Sequence, residues 1–114
     1  MSQALQRRRY TRHNLQTVVA YQLGDKRFLT LTANVGLGGM AIETHSRLLR
    51  GECIRFRLVL GEELLRVYGT VVYSGERLER CCVSGIQFEG LTAQEQDLLR
   101  RSFGLTGVQG FPVP

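Results

Sequence analysis

The sequence predicts an all-β fold with a C-terminal helix: a six-stranded antiparallel β-barrel preceded by a flexible basic N-terminal arm. Three observations predict it. Between Leu15 and Phe88, short runs rich in β-branched and aromatic residues are separated by glycine or charged turns. Past Phe88 the apolar residues change from strand to helical spacing. At 114 residues the chain is long enough for one hydrophobic core and too short for two cores with a cleft between them.

The organisation expected is a flexible arm over 1–13, a barrel with its helix over 14–103, and a flexible tail over 104–114. The first strand is expected over Gln16–Gln22, where β-branched and aromatic residues concentrate. Leu23-Gly24-Asp25-Lys26 turns the chain, and Arg27–Ala33 alternates Phe28 and Thr30 against Leu29 and Leu31 as the second strand. Gly36-Leu37-Gly38-Gly39 is a glycine turn, followed by a short strand over Met40–Glu43. Ile54, Phe56 and Leu58 alternate with Arg55 and Arg57, the pattern of a strand with one face buried and one in water. After the turn Gly61-Glu62-Glu63 comes a long strand over Leu65–Tyr73, a charged turn, and a last strand over Cys81–Phe88. Thr92-Ala93-Gln94-Glu95 fits a capping box, and Leu91, Leu98, Leu99 and Phe103 recur at helical spacing. Arg100 and Arg101 are expected in the last turn, with Gly104 as its stop. A barrel this small is filled by its own side chains, so any ligand must sit on its outside or rim.

Composition excludes several classes. No stretch approaches the roughly 20 apolar residues of a membrane-spanning helix. Met1–Arg12 is polar and then basic, without the apolar run of a secretory signal, so the expected location is cytoplasmic. Cys53, Cys81 and Cys82 form an odd set, and adjacent Cys81 and Cys82 in a strand point to opposite faces, which argues against a disulfide framework. His13 and His45, with no Cys-x-x-Cys pair, do not form a metal site of standard spacing, and both read as loop residues. No Ser-His-Asp arrangement or P-loop is legible, so an enzyme is not expected. The net charge of +5 favours an anionic partner.

The distribution of that charge is more informative than its total. Arg7, Arg8, Arg9 and Arg12 supply four of the 15 basic residues, all with the planar fork that suits phosphates and guanine edges. An arginine run is ordinarily a solvated tail, and a glycine turn between strands ordinarily only a turn. Here they occur together on a chain that reads as a barrel with a terminal helix. Arg8-Arg9-Tyr10-Thr11-Arg12, followed by Asn34-Val35-Gly36-Leu37-Gly38-Gly39, resembles the PilZ domain, with its Arg-x-x-x-Arg arm and Asp/Asn-x-Ser-x-x-Gly turn. The closing Gly85-Ile86-Gln87-Phe88 and helix are similar too, and the likeness spans roughly Arg7–Phe103.

The resemblance implies a PilZ-like split barrel that binds cyclic di-GMP, with the arm wrapping over the nucleotide and no further cofactor. By resemblance Arg8 and Arg12 are the motif arginines, and Arg9 is an additional phosphate or stacking contact. Asn34 can read a guanine edge, since it carries both an acceptor and donors. Gly39 is expected to allow the tight backbone geometry and close approach that a side chain would block. Gly36 departs from the family's serine, which removes a hydroxyl and is expected to weaken binding by about 0.5–1.5 kcal/mol. The expected function is a receptor whose arm orders on binding cyclic di-GMP and signals to a protein partner in motility, biofilm or pilus regulation. The alternatives are a PilZ-like module that has lost the ligand and binds only protein, and a small barrel for single-stranded nucleic acid. Nucleic-acid sites usually add aromatic platforms, and alternation places no row of Tyr21, Phe28, Tyr68 and Tyr73 beside the arginines, which argues against the last.

Overall fold

The computed structural model describes residues 11–76 and 81–108. Six strands run in the order β1 (Val18–Leu23), β2 (Lys26–Val35), β3 (Gly39–Thr44), β4 (Cys53–Leu60), β5 (Glu63–Glu76) and β6 (Cys82–Glu89), followed by helix α1 (Ala93–Val108). All pairings are antiparallel, and the sheet closes as β1-β2-β3-β6-β5-β4, with β4 returning to β1. The expected six-stranded barrel with a terminal helix is therefore observed.

Alternation explains the closure most plainly in β4. Ile54, Phe56, Leu58 and Leu60 are buried, while Cys53, Arg55, Arg57 and Val59 are exposed. The inward set meets Val19, Tyr21, Leu65, Val67, Val71, Met40, Ile42 and Ile86 in one core, which Leu99 and Phe103 of α1 join. Each such fully buried side chain contributes about 1.5–3 kcal/mol of transfer free energy. The two-residue turns Gly24-Asp25 and Gly61-Glu62 each begin with a glycine in the left-handed region, at φ 59° and 64°. Cys81 is exposed and Cys82 buried, the opposite facing expected of neighbours in a strand, and the described cysteines are free.

Two elements depart from expectation. The capping box is present, with Glu95 N–H donating to Thr92 Oγ1 at 3.1 Å and Thr92 N–H to Glu95 Oε1 at 2.9 Å. However, α1 runs through Gly104 to Val108, because Gly104 stays out of the left-handed conformation that ends a helix. The tail is thus helical over 104–108, and Arg100 and Arg101 lie before the last turn. Arg101 instead pairs with Asp97 at 3.4 Å, one turn back, and with Glu63 at 3.7 Å. These pairs are exposed, and contribute tenths of a kcal/mol at most. At the other end, residues 11–13 of the expected flexible arm are held against the barrel, as described next.

Candidate functional site

The site is built where the incoming chain crosses the end of β2. His13 forms an isolated bridge to Val35: His13 N–H donates to the Val35 carbonyl at 2.8 Å, and Val35 N–H donates back at 2.9 Å. Buried Thr32 ties down the segment leading to β1. Its hydroxyl donates to the Leu15 carbonyl at 2.6 Å and accepts from Thr17 N–H at 2.9 Å. The His13 ring stacks on Phe103 of α1, with centroids 4.1 Å apart and planes 19° from parallel. The root of the arm is therefore clamped between β2 and the helix. Sequence reasoning passed over His13, because its partner ring lies at the far end of the chain.

This clamp brings the two motif halves together. Arg12 Nη1 donates to Asn34 Oδ1 at 2.8 Å, across 22 residues of sequence. Asn34 is available to Arg12 because of a β-bulge. β2 keeps Phe28 and Thr32 inward, but its register to β3 shifts between Thr32 and Asn34. Asn34 thereby pairs with Ala41, on the opposite face from core residues Met40 and Ile42. The turn is closed by Gly36 N–H donating to the Gly39 carbonyl at 2.8 Å.

Both turn glycines are in close contact with other parts of the chain. A Cβ on Gly39 would collide with the Ile86 carbonyl of β6, so the barrel's own strand contact already requires the close backbone approach that glycine allows. A Cβ on Gly36 would lie 2.7 Å from the Thr11 carbonyl oxygen and 3.1 Å from Arg12 Cδ. The arm rests on Gly36, in the space a serine side chain would claim. Arg8 and Arg9 lie outside the described residues.

From Asn34 the register defines an outward row across the sheet. Asn34 pairs with Ala41, Ala41 with Gly85, and Gly85 with Tyr73. A second bulge, between Val71 and Tyr73, turns Tyr73 outward where strict alternation would bury it. Its ring lies flat on Gly85, where any Cβ would collide with it, and the side chain is half exposed. The ring covers Gly85, and Ala41 beside it is small and itself buried, so Arg12 and Asn34 face the Tyr73 ring across a floor of about two strand spacings, roughly 10 Å. Alternation alone gave Tyr73 no place here; the bulge supplies it, as a single ring rather than a row of aromatics beside the arginines.

A separate cleft of about 590 Å³ lies between β5 and α1, lined by Glu63, Arg66, Glu95, Asp97 and Arg101 among others, and it shares no residue with the Arg12–Asn34 site. Its carboxylates Glu63 and Asp97 are already paired with Arg101. Among the described residues no group of histidine, cysteine and carboxylate side chains is placed to hold a metal.

The PilZ domain family model matches residues 6–104, which includes both motif halves, all six strands and most of α1. The chain belongs to the PilZ domain family. No curated protein sequence matches it. Among solved structures it is similar to the PilZ domain of YcgR from Escherichia coli with c-di-GMP, at TM-score 0.74 and 17% identity over 89% of this chain and 92% of that one. It also resembles the Bacillus subtilis inhibitor of motility MotI/DgrA, at TM-score 0.73 and 20% identity over 87% of this chain and 51% of that one. The K. pneumonia MrkH–c-di-GMP complex gives TM-score 0.74 and 16% identity over 87% and 52%. The chain thus spans about half the length of the last two, and at these identities the likeness establishes the PilZ barrel itself.

Proposed function

We propose that this PilZ domain is a receptor for cyclic di-GMP, binding the nucleotide on the outer floor between Arg12–Asn34 and Tyr73 and using the arm as its clamp. The observation that carries the reading is the Arg12–Asn34 hydrogen bond, which sets the two motif halves side by side at one end of that floor. Structural neighbours from E. coli and K. pneumonia hold c-di-GMP, which supports the same ligand here.

The chemistry follows from the side chains. A guanidinium can donate bidentately to phosphodiester oxygens or to guanine O6 and N7, and can lie on a purine face. Arg12 is held at the floor's edge, and Arg8 and Arg9 precede it on the same arm, so together they can meet the ligand's two phosphates. Asn34 offers an amide to a guanine edge once the nucleotide competes for Arg12. Tyr73 offers a ring face for stacking, worth about 1–3 kcal/mol per base. Gly36 lacks the family's hydroxyl, but it lets the arm backbone lie against the turn, so arginine contacts carry the affinity. The role is binding and regulation rather than catalysis: the ligand orders the arm, and the changed surface signals to a protein partner.

The test is a calorimetric titration with cyclic di-GMP of the wild-type chain and of Arg12→Ala. Tight wild-type binding that the substitution largely removes supports the reading. Arm amides that stay unmoved in an NMR titration at millimolar nucleotide would instead establish the second reading, a PilZ module that has lost the ligand, which the filling of the serine position by Thr11 favours.

A further inference from the structure

The outer wall made by β2, β1, β4 and the first half of β5 carries a pattern that nucleotide binding does not use. Register places Leu31 opposite Val18 and Val59 opposite Leu64, and extending the β1–β4 pairing by one residue sets Val18 beside Val59. A continuous aliphatic row, Leu31–Val18–Val59–Leu64, therefore crosses four neighbouring strands, each residue 38–46% exposed. At about 4.8 Å per strand it is roughly 14 Å long. The next row toward the β1–β2 turn reads Leu29–Ala20–Arg57–Arg66, with Leu29 72% exposed. Beyond it stand Arg27 and Gln22 on β2 and β1, and Arg55 and Tyr68 on β4 and β5.

The charges on this wall are unbalanced. These rows contain no carboxylate, and among the described residues none of Arg27, Arg55, Arg57 and Arg66 is in an ion pair. Arg57 and Arg66 stand directly opposite one another across β4 and β5, a like-charge pair that weakens an isolated sheet. The apolar row is bordered on one side by Arg57 and Arg66, neither of them in an ion pair among the described residues, and at its β5 end by the acidic turn of Glu62 and Glu63. It is complementary to an apolar stripe with carboxylates along the arginine-facing flank.

We propose that this wall docks an acidic amphipathic helix of a partner protein, laid across the strands with its apolar stripe on the Leu31–Leu64 row and its carboxylates against Arg57 and Arg66. A helix repeats apolar residues on one face over three turns in about 16 Å, close to the length of the row. A second copy of the chain is a poor occupant, because two-fold pairing of this face sets arginines against arginines. A bilayer fits less well too. Insertion needs apolar groups reaching about 5–10 Å past their polar neighbours, whereas the four aliphatic residues of the row are only 38–46% exposed and stand beside the longer side chains of Arg57 and Arg66.

The test uses the full chain, isotope-labelled, and a designed helical peptide of about 18 residues with a leucine stripe and glutamates along one flank. Expected are amide shifts centred on Val18, Leu31, Val59 and Leu64. Two double variants, Leu31→Thr with Val59→Thr and Arg57→Glu with Arg66→Glu, should each weaken the peptide at least about tenfold. Both variants should keep the wild-type circular dichroism and their response to cyclic di-GMP, so failure of this proposal is separable from failure of the nucleotide reading. The proposal is overturned by any of four results: no shift at millimolar peptide, equal binding of a lysine-flanked peptide, phosphatidylserine vesicles that bind this face while the peptide does not, or self-association through it.

Discussion

The two walls of this barrel are built on different rules. The wall of β2, β1, β4 and β5 keeps regular register, so every second residue faces out, and its outward set is large: leucine, valine and arginine. The wall of β2, β3, β6 and β5 is interrupted by a bulge in β2 and another in β5, and its middle is reduced to Ala41 and Gly85. Regular pairing makes a surface that displays side chains, whereas the bulged wall makes a floor and aims two selected side chains, Asn34 and Tyr73, at its ends. A small barrel has no interior for a ligand, and the bulged wall is where the proposed nucleotide site lies.

The sharpest contrast between the walls is in tolerance. Gly39→Val drives a side chain into the β6 backbone, and should cost about 3 kcal/mol or more in a urea melt, while Leu29→Thr on the regular wall should change stability by about 0.5 kcal/mol at most. Equal losses in the two would break the contrast. Next comes ligand affinity. Arg12→Ala should lose about 2–3 kcal/mol of cyclic di-GMP binding, roughly 30-fold to 150-fold, with Arg57→Ala unchanged in the same calorimetric titration.

Gly36→Ser, which restores the family residue, should lower affinity by about 1 kcal/mol, because the added atoms displace Thr11 and Arg12. A gain in affinity would mean that the arm leaves Gly36 when the ligand binds. His13→Ala removes the stack on Phe103, and should accelerate amide exchange at Val35 by an amount equivalent to about 1 kcal/mol, with the Leu31–Leu64 wall unaffected.

The smallest effect concerns Tyr21, beneath the regular wall, whose hydroxyl is raised above the ordinary 10.0 by burial. Desolvation disfavours the phenolate, so the folded state holds its proton at higher pH than the unfolded state does. Its contribution is thus fully present below pH 10 and is lost as pH rises through the raised folded value. Tyr21→Phe should flatten the stability curve in that alkaline window and leave it parallel to the wild type below; identical alkaline slopes would contradict the assignment.

Most of the barrel was legible because its signals are local. Ile54, Phe56 and Leu58 alternate with arginines whatever the rest of the chain does, and Thr92 and Glu95 cap the same helix turn they begin. Gly104 misled for the same reason: a glycine permits a helix stop without requiring one, and here α1 continues. In the site, the residue types and spacing of Arg12, Asn34, Gly36 and Gly39 were readable, but the partners of the two glycines were not. Gly39 serves the contact with Ile86, and Gly36 serves Thr11, and neither neighbour is near in sequence or distinguished by type.

By itself, then, the sequence determined the class of fold, the strands and their turns, the helix start, and the pairing of an arginine arm with a glycine turn. Only the tertiary structure decided which way Asn34 and Tyr73 face, what the arm rests on, and that His13 meets Phe103. The physical reason is range. Periodicity and capping are properties of a few consecutive residues, whereas a bulge is a mismatch between two strands that exists only once they pair, and it reverses the facing that alternation assigns to everything beyond it.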